Sequence, residues 1–271
     1  MQAASRESYA AAVEQLESVV AAASPAELSA TADEILATAD LLRREPRLRR
    51  ALADPARAGE DRAGLLDAIL GDKVSERAAQ LLRGLVAGRW SSPNELLNAT
   101  EQLGVQTVLA GADKAGDLGE VEDELFRFGQ LIDANPGLAT VLSDPNAPVT
   151  QRAELVRDLL KDKAKPATVR LAELALAGYG GRGLTGSLTR LVEAAAERRD
   201  RQVAYVTTAV PLSEADESRL GARLAAMYGR EIALKVSVDP SIVGGLSVQV
   251  GNDLYDGTVS RRLAEARHAL T

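Results

Sequence analysis

The segment GYGGRG at residues 178–183 has the spacing G-x-G-x-x-G, with which dinucleotide-binding proteins bring their backbone close to a pyrophosphate. That chemistry requires the glycines to follow a β-strand, to open a helix and to precede an acidic residue on a second strand. Here they follow LAELALA at 171–177, which has a helical pattern, and no strand pattern comes within about twenty residues. The sequence also has no Walker A lysine pattern. We therefore interpret the segment as a helix C-terminus followed by a flexible turn.

Asp253 and Asp256, each near a glycine, are the next residues whose chemistry deserves a test, as metal ligands or as an acid–base pair. Two carboxylates on a turn, without a histidine or third ligand nearby, fall short of either site. Residues 256–258 are better explained as a turn that starts a helix, because aspartate accepts backbone N–H bonds and glycine adopts conformations that other residues resist. The sequence has no cysteine, and its one histidine is His268. It therefore predicts no metal, no cofactor and no catalytic triad.

The densest basic stretch is RREPRLRR at residues 43–50. It lacks the interleaved aromatic residues of a single-strand nucleic-acid site, and the chain has a formal net charge of −7. An acidic chain argues against nonspecific nucleic-acid binding, which depends on neutralising phosphates. We interpret the stretch as a solvated helix end, with an acidic protein partner as the alternative.

The composition is that of a soluble globular protein, with 46% hydrophobic, 26% charged and only 3% aromatic residues. No uncharged apolar run approaches the roughly 20 residues that a membrane span needs. The N-terminus, MQAASRESYAAAVEQLESVV, lacks the apolar core of a signal peptide. We expect a protein that is cytoplasmic or peripheral on a membrane complex, without a span of its own.

The helices that would position any site are encoded twice. The segment that begins LLRREPRLRRALADP at residue 41 aligns without a gap with LIDANPGLATVLSDP at residue 131, an offset of 90. Shared helix composition alone would not place prolines and Asp-Lys pairs in one register, so we interpret the segments as a duplicated module. The identities include Pro46 with Pro136, Asp54-Pro55 with Asp144-Pro145, and Asp72-Lys73 with Asp162-Lys163.

Both copies have the apolar spacing of short amphipathic helices, and a further helix over residues 5–23 precedes copy one. From residue 202 the pattern changes to strands at 202–211, 231–240 and 246–250, with a helix at 213–227 and a closing helix from Gly257. We predict an α-helical bundle, made of two copies of a short-helix module, followed by a small α/β C-terminal domain. The predicted domains are 1–112 (first helix and copy one), 113–200 (copy two) and 201–271 (α/β).

Residues 241–263, SIVGGLSVQVGNDLYDGTVSRRL, resemble the C-terminal signature of the delta subunit of F-type ATP synthase, whose mitochondrial counterpart is the oligomycin-sensitivity-conferring protein. The signature is a glycine pair, an apolar strand, a glycine, and then Asp-Gly-Ser/Thr-Val leading to Arg-Leu. Tyr9-Ala10 in an alanine-rich first helix also resembles the family. The family usually has one helical domain, so the resemblance implies an internal duplication here. The matching residues are Gly244, Gly245, Gly251, Asp256, Gly257, Thr258, Val259, Arg262 and Leu263.

The resemblance implies a non-catalytic stator subunit at the cytoplasmic face of the cell membrane. The helical domain would bind N-terminal helices of alpha subunits of the catalytic head, and the C-terminal domain, near the signature, would hold the b subunit of the peripheral stalk. The alternative is a free-standing helical adaptor or regulator that binds some other amphipathic helix.

In the family the alpha helix binds in a groove between the first and fifth helices, and either copy here offers a fifth helix. The pattern alone also fits residues that only build the bundle core. The candidate groove residues are Tyr9, Val13 and Leu16 of the first helix, Leu81, Leu82, Leu85 and Val86 of copy one, and Leu171 and Leu174 of copy two.

Overall fold

The structure is a computed structural model that describes residues 1–251, 253–261 and 263. In that part of the chain, a series of helices is followed by a small four-stranded sheet, which confirms the predicted fold class. The helices are α1 (Ala3–Ala22), α2 (Pro25–Arg44), α3 (Pro46–Leu52), α4 (Gly59–Leu70), α5 (Glu76–Ala87), α6 (Pro93–Ala115), α7 (Leu118–Asp133), α8 (Pro136–Ser143), α9 (Val149–Leu160), α10 (Pro166–Leu176), α11 (Leu184–Arg198) and α12 (Glu214–Tyr228). The strands are β1 (Arg201–Thr208), β2 (Glu231–Val238), β3 (Leu246–Val250) and β4 (Asp253–Asp256).

The described residues form two compact units. The first contains Met1–Val121 and Thr140–Ser187, and the second contains Glu122–Ala139 and the described residues from Leu188 onward. The chain therefore passes from one unit to the other within α7, within α8 and within α11. The predicted division at residues 112 and 200 follows the sequence repeat instead, and it stays a prediction.

In the first unit the repeat extends from the sequence to side-chain contacts. Helices α4 and α9 start and end 90 residues apart, as the repeat requires. Arg62 of α4 donates from Nη1 to the carbonyl of Leu52 at 3.4 Å, and Arg152 of α9 donates from Nη1 to the carbonyl of Leu142 at 2.9 Å. Both arginines are buried, so each copy uses the same buried guanidinium to satisfy a carbonyl at the end of the preceding short helix.

An ion pair between helices also recurs, with its charges reversed. In copy one, Arg83 of α5 contacts Asp67 of α4 at 3.4 Å. At the positions 90 residues later, Glu173 of α10 contacts Arg157 of α9 at 2.5 Å. Such exposed pairs contribute only up to about 1 kcal/mol each. The complementary charges at matching positions nevertheless show that both copies pair these helices in the same way.

Helix α6 is the central helix of the first unit. It begins at an N-cap, Ser92, whose hydroxyl accepts the backbone N–H of Glu95 at 3.3 Å. At an offset of 90 it is the counterpart of α1, and it also closes copy one. Helix α2 packs along α6, and Gly104 lets Leu36 approach closely, since a Cβ there would collide with the leucine side chain. Most of α6 is consequently buried.

In the second unit the sheet has the order β2-β1-β3-β4, with β1 parallel to β2 and the other pairs antiparallel. Helix α12 connects the two parallel strands, as a parallel pair requires a crossover. Its Leu224 packs with Val206 and Val248 in an apolar cluster on one face of the sheet. On β1, Tyr205 alternates with these inward residues, and its ring lies 6.3 Å from that of Phe126 in α7.

A buried ion cluster joins α7 to the sheet within the second unit. Lys235 of β2 is 4% exposed, and its Nζ lies 2.7 Å from Glu122 and 2.7 Å from Asp123. Glu122 is 1% exposed and also accepts from Arg199, the residue after α11, at 2.9 Å. Buried charges are tolerated only when they are paired in this way, so the cluster fixes how α7 lies on β2.

Candidate partner-binding site

Helix α1 is held in place by hydrogen bonds at two points along its length. Near its start, Ser8 accepts the backbone N–H of Arg89 at 2.7 Å and donates to the Arg89 carbonyl at 2.9 Å. About two turns later, Gln15 donates to the carbonyl of Gln80 in α5 at 3.4 Å. These contacts, together with the buried Leu16, position α1 against α5 and the segment that follows it.

Most of the candidate groove residues of copy one lie in the core of the bundle. Only Tyr9 and Val13 are partly exposed. They are four residues apart and therefore lie on one side of α1, which we call the α1 stripe. Within this set, the α1 stripe is therefore the part that a partner could contact. The other members pack α1 against α5. The core members are Leu16, Leu81, Leu82, Leu85 and Val86, each exposed by 1% or less.

In copy two, Leu171 is fully buried and Leu174 is 8% exposed. The helix that corresponds to α1 is α6, and α2 covers it. What remains is a cavity of about 370 Å³ between α2, α6 and α10, lined in part by small residues of α6 and bordered by the ion pair of Arg170 with Asp33 at 2.5 Å. Copy two therefore offers a short cavity where copy one offers the open side of a helix.

The glycine-rich segment binds a carboxylate of its own chain. Gly178, Gly180 and Gly181 all have positive φ angles, which glycine adopts without strain. The N–H of Gly180 donates to Glu101 at 3.1 Å, and Glu101, 2% exposed, also pairs with Arg43 at 2.7 Å. The segment follows helix α10, not a strand. The backbone N–H of Gly180 therefore stabilises the buried carboxylate of Glu101 in α6. This contact within the chain accounts for the glycine-rich segment without a nucleotide ligand.

In the C-terminal signature the glycine pair allows two segments to touch. Gly244 and Gly245 have φ angles of 138° and 82°, and a Cβ on Gly245 would clash with the carbonyl of Gly257. The carbonyl of Gly244 accepts the N–H of Val259 at 3.0 Å. These contacts give the signature a structural role in closing the sheet. Gly251, with a φ of 57°, turns the chain from β3 towards β4.

Asp256 belongs to the same turn. Its carboxylate accepts the backbone N–H of Thr258 at 3.0 Å, and this bond holds the pKa of Asp256 below its ordinary value. Arg262 lies outside the described residues, and the neighbouring Leu263 is 63% exposed.

Strand β4, which precedes this turn, exposes apolar side chains. Leu254 is 62% exposed and Tyr255 43% exposed. The Tyr255 hydroxyl lies 3.0 Å from that of Tyr228 in α12, which also donates to Asp253 at 2.9 Å. The contact with Tyr255, burial and the contact with Asp253 raise the pKa of Tyr228 above its ordinary value. We call Leu254 and Tyr255 the β4 surface.

Within the described residues, no helix is long and apolar enough to cross a membrane. The same part of the chain holds no group of three or more histidine, cysteine, aspartate or glutamate side chains arranged to bind a metal.

Residues 105–270 match the family model described as "ATP synthase delta (OSCP) subunit". The chain belongs to this family. The matched range begins inside α6 and contains copy two and the α/β segment, so copy one lies ahead of it. The family membership agrees with the resemblance that the C-terminal signature indicated.

Relatives named "ATP synthase subunit delta" match over nearly their whole length. One from Salinispora arenicola is 64% identical over 271 residues, covering 100% of this chain and 99% of the relative. One from Streptomyces avermitilis is 44% identical over 267 residues, covering 98% of this chain and 97% of the relative. Segments equivalent to both copies are therefore present in these relatives. A chain of the mitochondrial ATP synthase hexamer of Toxoplasma gondii aligns with a TM-score of 0.39 and 20% identity, over 63% of this chain and 96% of that chain.

Proposed function

We propose that this chain is a non-catalytic peripheral-stalk subunit of F-type ATP synthase. It links the catalytic head to the b subunit and keeps the head from turning with the rotor while proton flow drives ATP synthesis. On this proposal it is a peripheral protein at the cytoplasmic face of the cell membrane, with protein partners and no nucleic acid. Family membership supports the proposal, since the matching relatives are named as subunits of that complex.

The alpha contact is assigned to copy one. The observation that carries this assignment is the difference between two equivalent helices: α1 keeps the α1 stripe partly exposed, whereas α6 is covered by α2. An amphipathic N-terminal helix of an alpha subunit would lay its apolar side on Tyr9 and Val13, in the helix-in-groove mode. The buried leucines of α5 support the floor of that surface.

The b contact is assigned to the second unit, where the family signature lies. The β4 surface is an exposed apolar part of this signature, and among the described residues its strand forms one edge of the sheet. The two side chains are consecutive on the strand and therefore point to opposite faces of the sheet. Burying either one against a helix of b would remove apolar surface from water, and a fully buried large apolar side chain contributes about 1.5–3 kcal/mol.

A stator contact has to last much longer than one turn of the rotor. Slow dissociation is the usual route to high affinity, because association rates vary less than dissociation rates between related complexes. A dissociation constant of about 1 nM, equivalent to about −12 kcal/mol, sets the scale that the two contacts need to reach.

The proposal is tested by affinity purification of the tagged, full-length chain from detergent-treated native membranes, with identification by mass spectrometry. We expect alpha, beta and b subunits together. Recovery of soluble partners without any synthase subunit would refute the stator role and favour the helical adaptor.

A further inference from the structure

A cavity of about 680 Å³ lies where the start of α4 meets the end of α5, inside the first unit. Among the residues that the structure describes, its charged lining residues are three arginines, Arg57, Arg62 and Arg89, and no acidic side chain lines it. In a chain with a net charge of −7, such a cavity is a local concentration of positive charge. We propose that this cavity, the arginine pocket, binds the carboxylates of an acidic peptide segment of a partner protein.

Arg62 forms the fixed back of the pocket. It is 4% exposed, and its two terminal nitrogens donate to the carbonyls of Gly88 at 2.8 Å and Ala87 at 3.1 Å. Burial lowers the pKa of the Arg62 guanidinium, and Asp54 partly opposes that shift. The positive charge is therefore held rigidly and is only partly compensated by the chain, so an anion nearby would stabilise it.

Arg57 and Arg89 are the accessible members of the pocket. The side chain of Arg57 is 50% exposed, and its ion pair with Asp54 is long, at 3.7 Å. Arg89 is exposed as well. A guanidinium has five N–H donors in a planar fork that fits a carboxylate, so Arg57 can donate to a second carboxylate beside Asp54.

The duplication supplies an internal comparison for these residues. At the offset of 90, Arg62 corresponds to Arg152, which keeps the same buried contact to a carbonyl. Arg57 corresponds instead to Ala147, and Arg89 to Tyr179. A module of this kind therefore folds without arginine at the last two positions. Ligand binding explains why copy one has both.

The size and lining of the pocket favour a peptide over a small inorganic anion. Cavities of 300–1,000 Å³ suit molecules much larger than an ion, whose volume is closer to that of a few waters. Between the arginines the lining is small and apolar, with Ala4, Pro55, Ala56, Ala58 and Ala87. Such a surface accommodates the backbone and methylene groups of glutamate residues while the arginines bind their carboxylates. This inference goes beyond the alpha and b contacts and does not depend on them.

Trp90 makes the test possible without a label. It is the single tryptophan of the chain, it lines the pocket, and its indole donates to the carbonyl of Leu85 at 2.9 Å. The full-length chain is titrated with a hexaglutamate peptide while tryptophan emission is followed, with a hexaglutamine peptide as the control. We expect a saturable change with the acidic peptide, weakened by added salt, and none with the neutral one.

Two variants replace pocket residues by those of copy two, Arg57→Ala and Arg89→Tyr. Each should weaken hexaglutamate binding about tenfold, since each removes one charge-assisted contact. The control Arg47→Ala removes an exposed arginine outside the pocket and should leave the affinity unchanged. Circular dichroism and thermal unfolding verify that each variant is folded, and calorimetry repeats the titration independently of the tryptophan.

Several outcomes would overturn the inference. Tight binding of inorganic phosphate or tripolyphosphate at the same arginines would make the pocket a site for small oxyanions. Equal losses in all three variants would show nonspecific attraction to positive charge. Absence of binding by both emission and calorimetry would show that the pocket holds no acidic peptide.

Discussion

Replacing Lys235 by methionine tests whether burial makes the ion cluster of the second unit important. The substitution keeps most of the side-chain volume and removes the charge that faces Glu122 and Asp123. Glu122, 1% exposed, would keep Arg199 as its charged partner among the described residues, while Asp123 is exposed enough to be solvated. Removing one partner of a buried pair costs about 3–5 kcal/mol, and the remaining arginine places this variant at the lower end, about 3 kcal/mol.

Lys165 is the matched control. Like Lys235 it contacts two carboxylates, Asp117 at 3.0 Å and Glu120 at 3.1 Å, but its side chain is 33% exposed where that of Lys235 is 5% exposed. Lys165→Met should therefore cost about 1 kcal/mol or less, as exposed pairs do. The comparison separates the effect of burial from the number of contacts.

Hydrogen exchange with mass spectrometry is the suitable assay, because a chain of two units does not guarantee two-state unfolding. We expect Lys235→Met to raise the opening constant of peptides from α7 and β2 more than about a hundredfold, and Lys165→Met to change its own surroundings less than tenfold. Equal effects of the two variants would refute the claim that burial determines how much the ion cluster contributes to stability.

Three further predictions concern local features of the chain. Glu27 accepts the backbone N–H of its helix N-cap, and this bond lowers the pKa of Glu27 to about 2. The stabilisation from the bond is therefore complete above about pH 4.5 and is lost as pH falls toward 2. Glu27→Gln should flatten the acid limb of a plot of unfolding free energy against pH, and an unchanged limb would contradict the assignment. Gly245→Ala should lower the free energy of unfolding by about 2 kcal/mol or more, because backbone strain and a clash with a backbone carbonyl add. The control Gly229→Ala, where φ is positive but the space is open, should cost about 1 kcal/mol. Equal costs in thermal unfolding would show that the clash is relieved. Val13→Asp should weaken binding of an alpha N-terminal peptide at least tenfold in a fluorescence titration. The control Val149→Asp, at an exposed valine elsewhere, should leave the affinity unchanged. Unchanged binding in both variants would show that the alpha helix does not contact the α1 stripe.

The local features of the fold were accessible from the sequence. The offset of 90 predicts that the equivalent helices start at equivalent positions, and α4 and α9 do. Ser24, Ser92 and Ser213 each stand three residues before an acidic residue, a spacing typical of a helix N-cap, and each accepts the backbone N–H of that residue. These features follow from residues within one turn or one strand of each other, for which periodicity and capping rules are strong.

Contacts between distant segments were not accessible in the same way. Alternation in β2 predicts one buried face, but Lys235 is buried on the other face, because Glu122, 113 positions earlier, neutralises it. Strand β4 was also missed: its four residues read as a turn, and its pairing with β3 defines it. The burial of α6 by α2 likewise depends on packing at Gly104, which no local pattern reports.

The candidate site divides along the same line. The family resemblance implied that the first helix meets the fifth, and α1 packs against α5, but the apolar periodicity could not separate the core leucines from the partly exposed Tyr9 and Val13. Both groups have the same spacing, and only the packing of neighbouring helices decides which side of each remains at the surface. No sequence pattern indicated Arg57 and Arg89 as site residues, because they line one pocket only where the start of α4 meets the end of α5.

The most direct test of the stator role is coupling in membranes. Inverted membrane vesicles are depleted of this chain and supplied again with the purified protein, and ATP hydrolysis and ATP-driven proton uptake are measured together. The account predicts that depletion abolishes proton uptake while the catalytic head keeps hydrolysing ATP, and that the chain restores uptake without taking part in the hydrolysis. Proton uptake that is the same with and without the chain would contradict it.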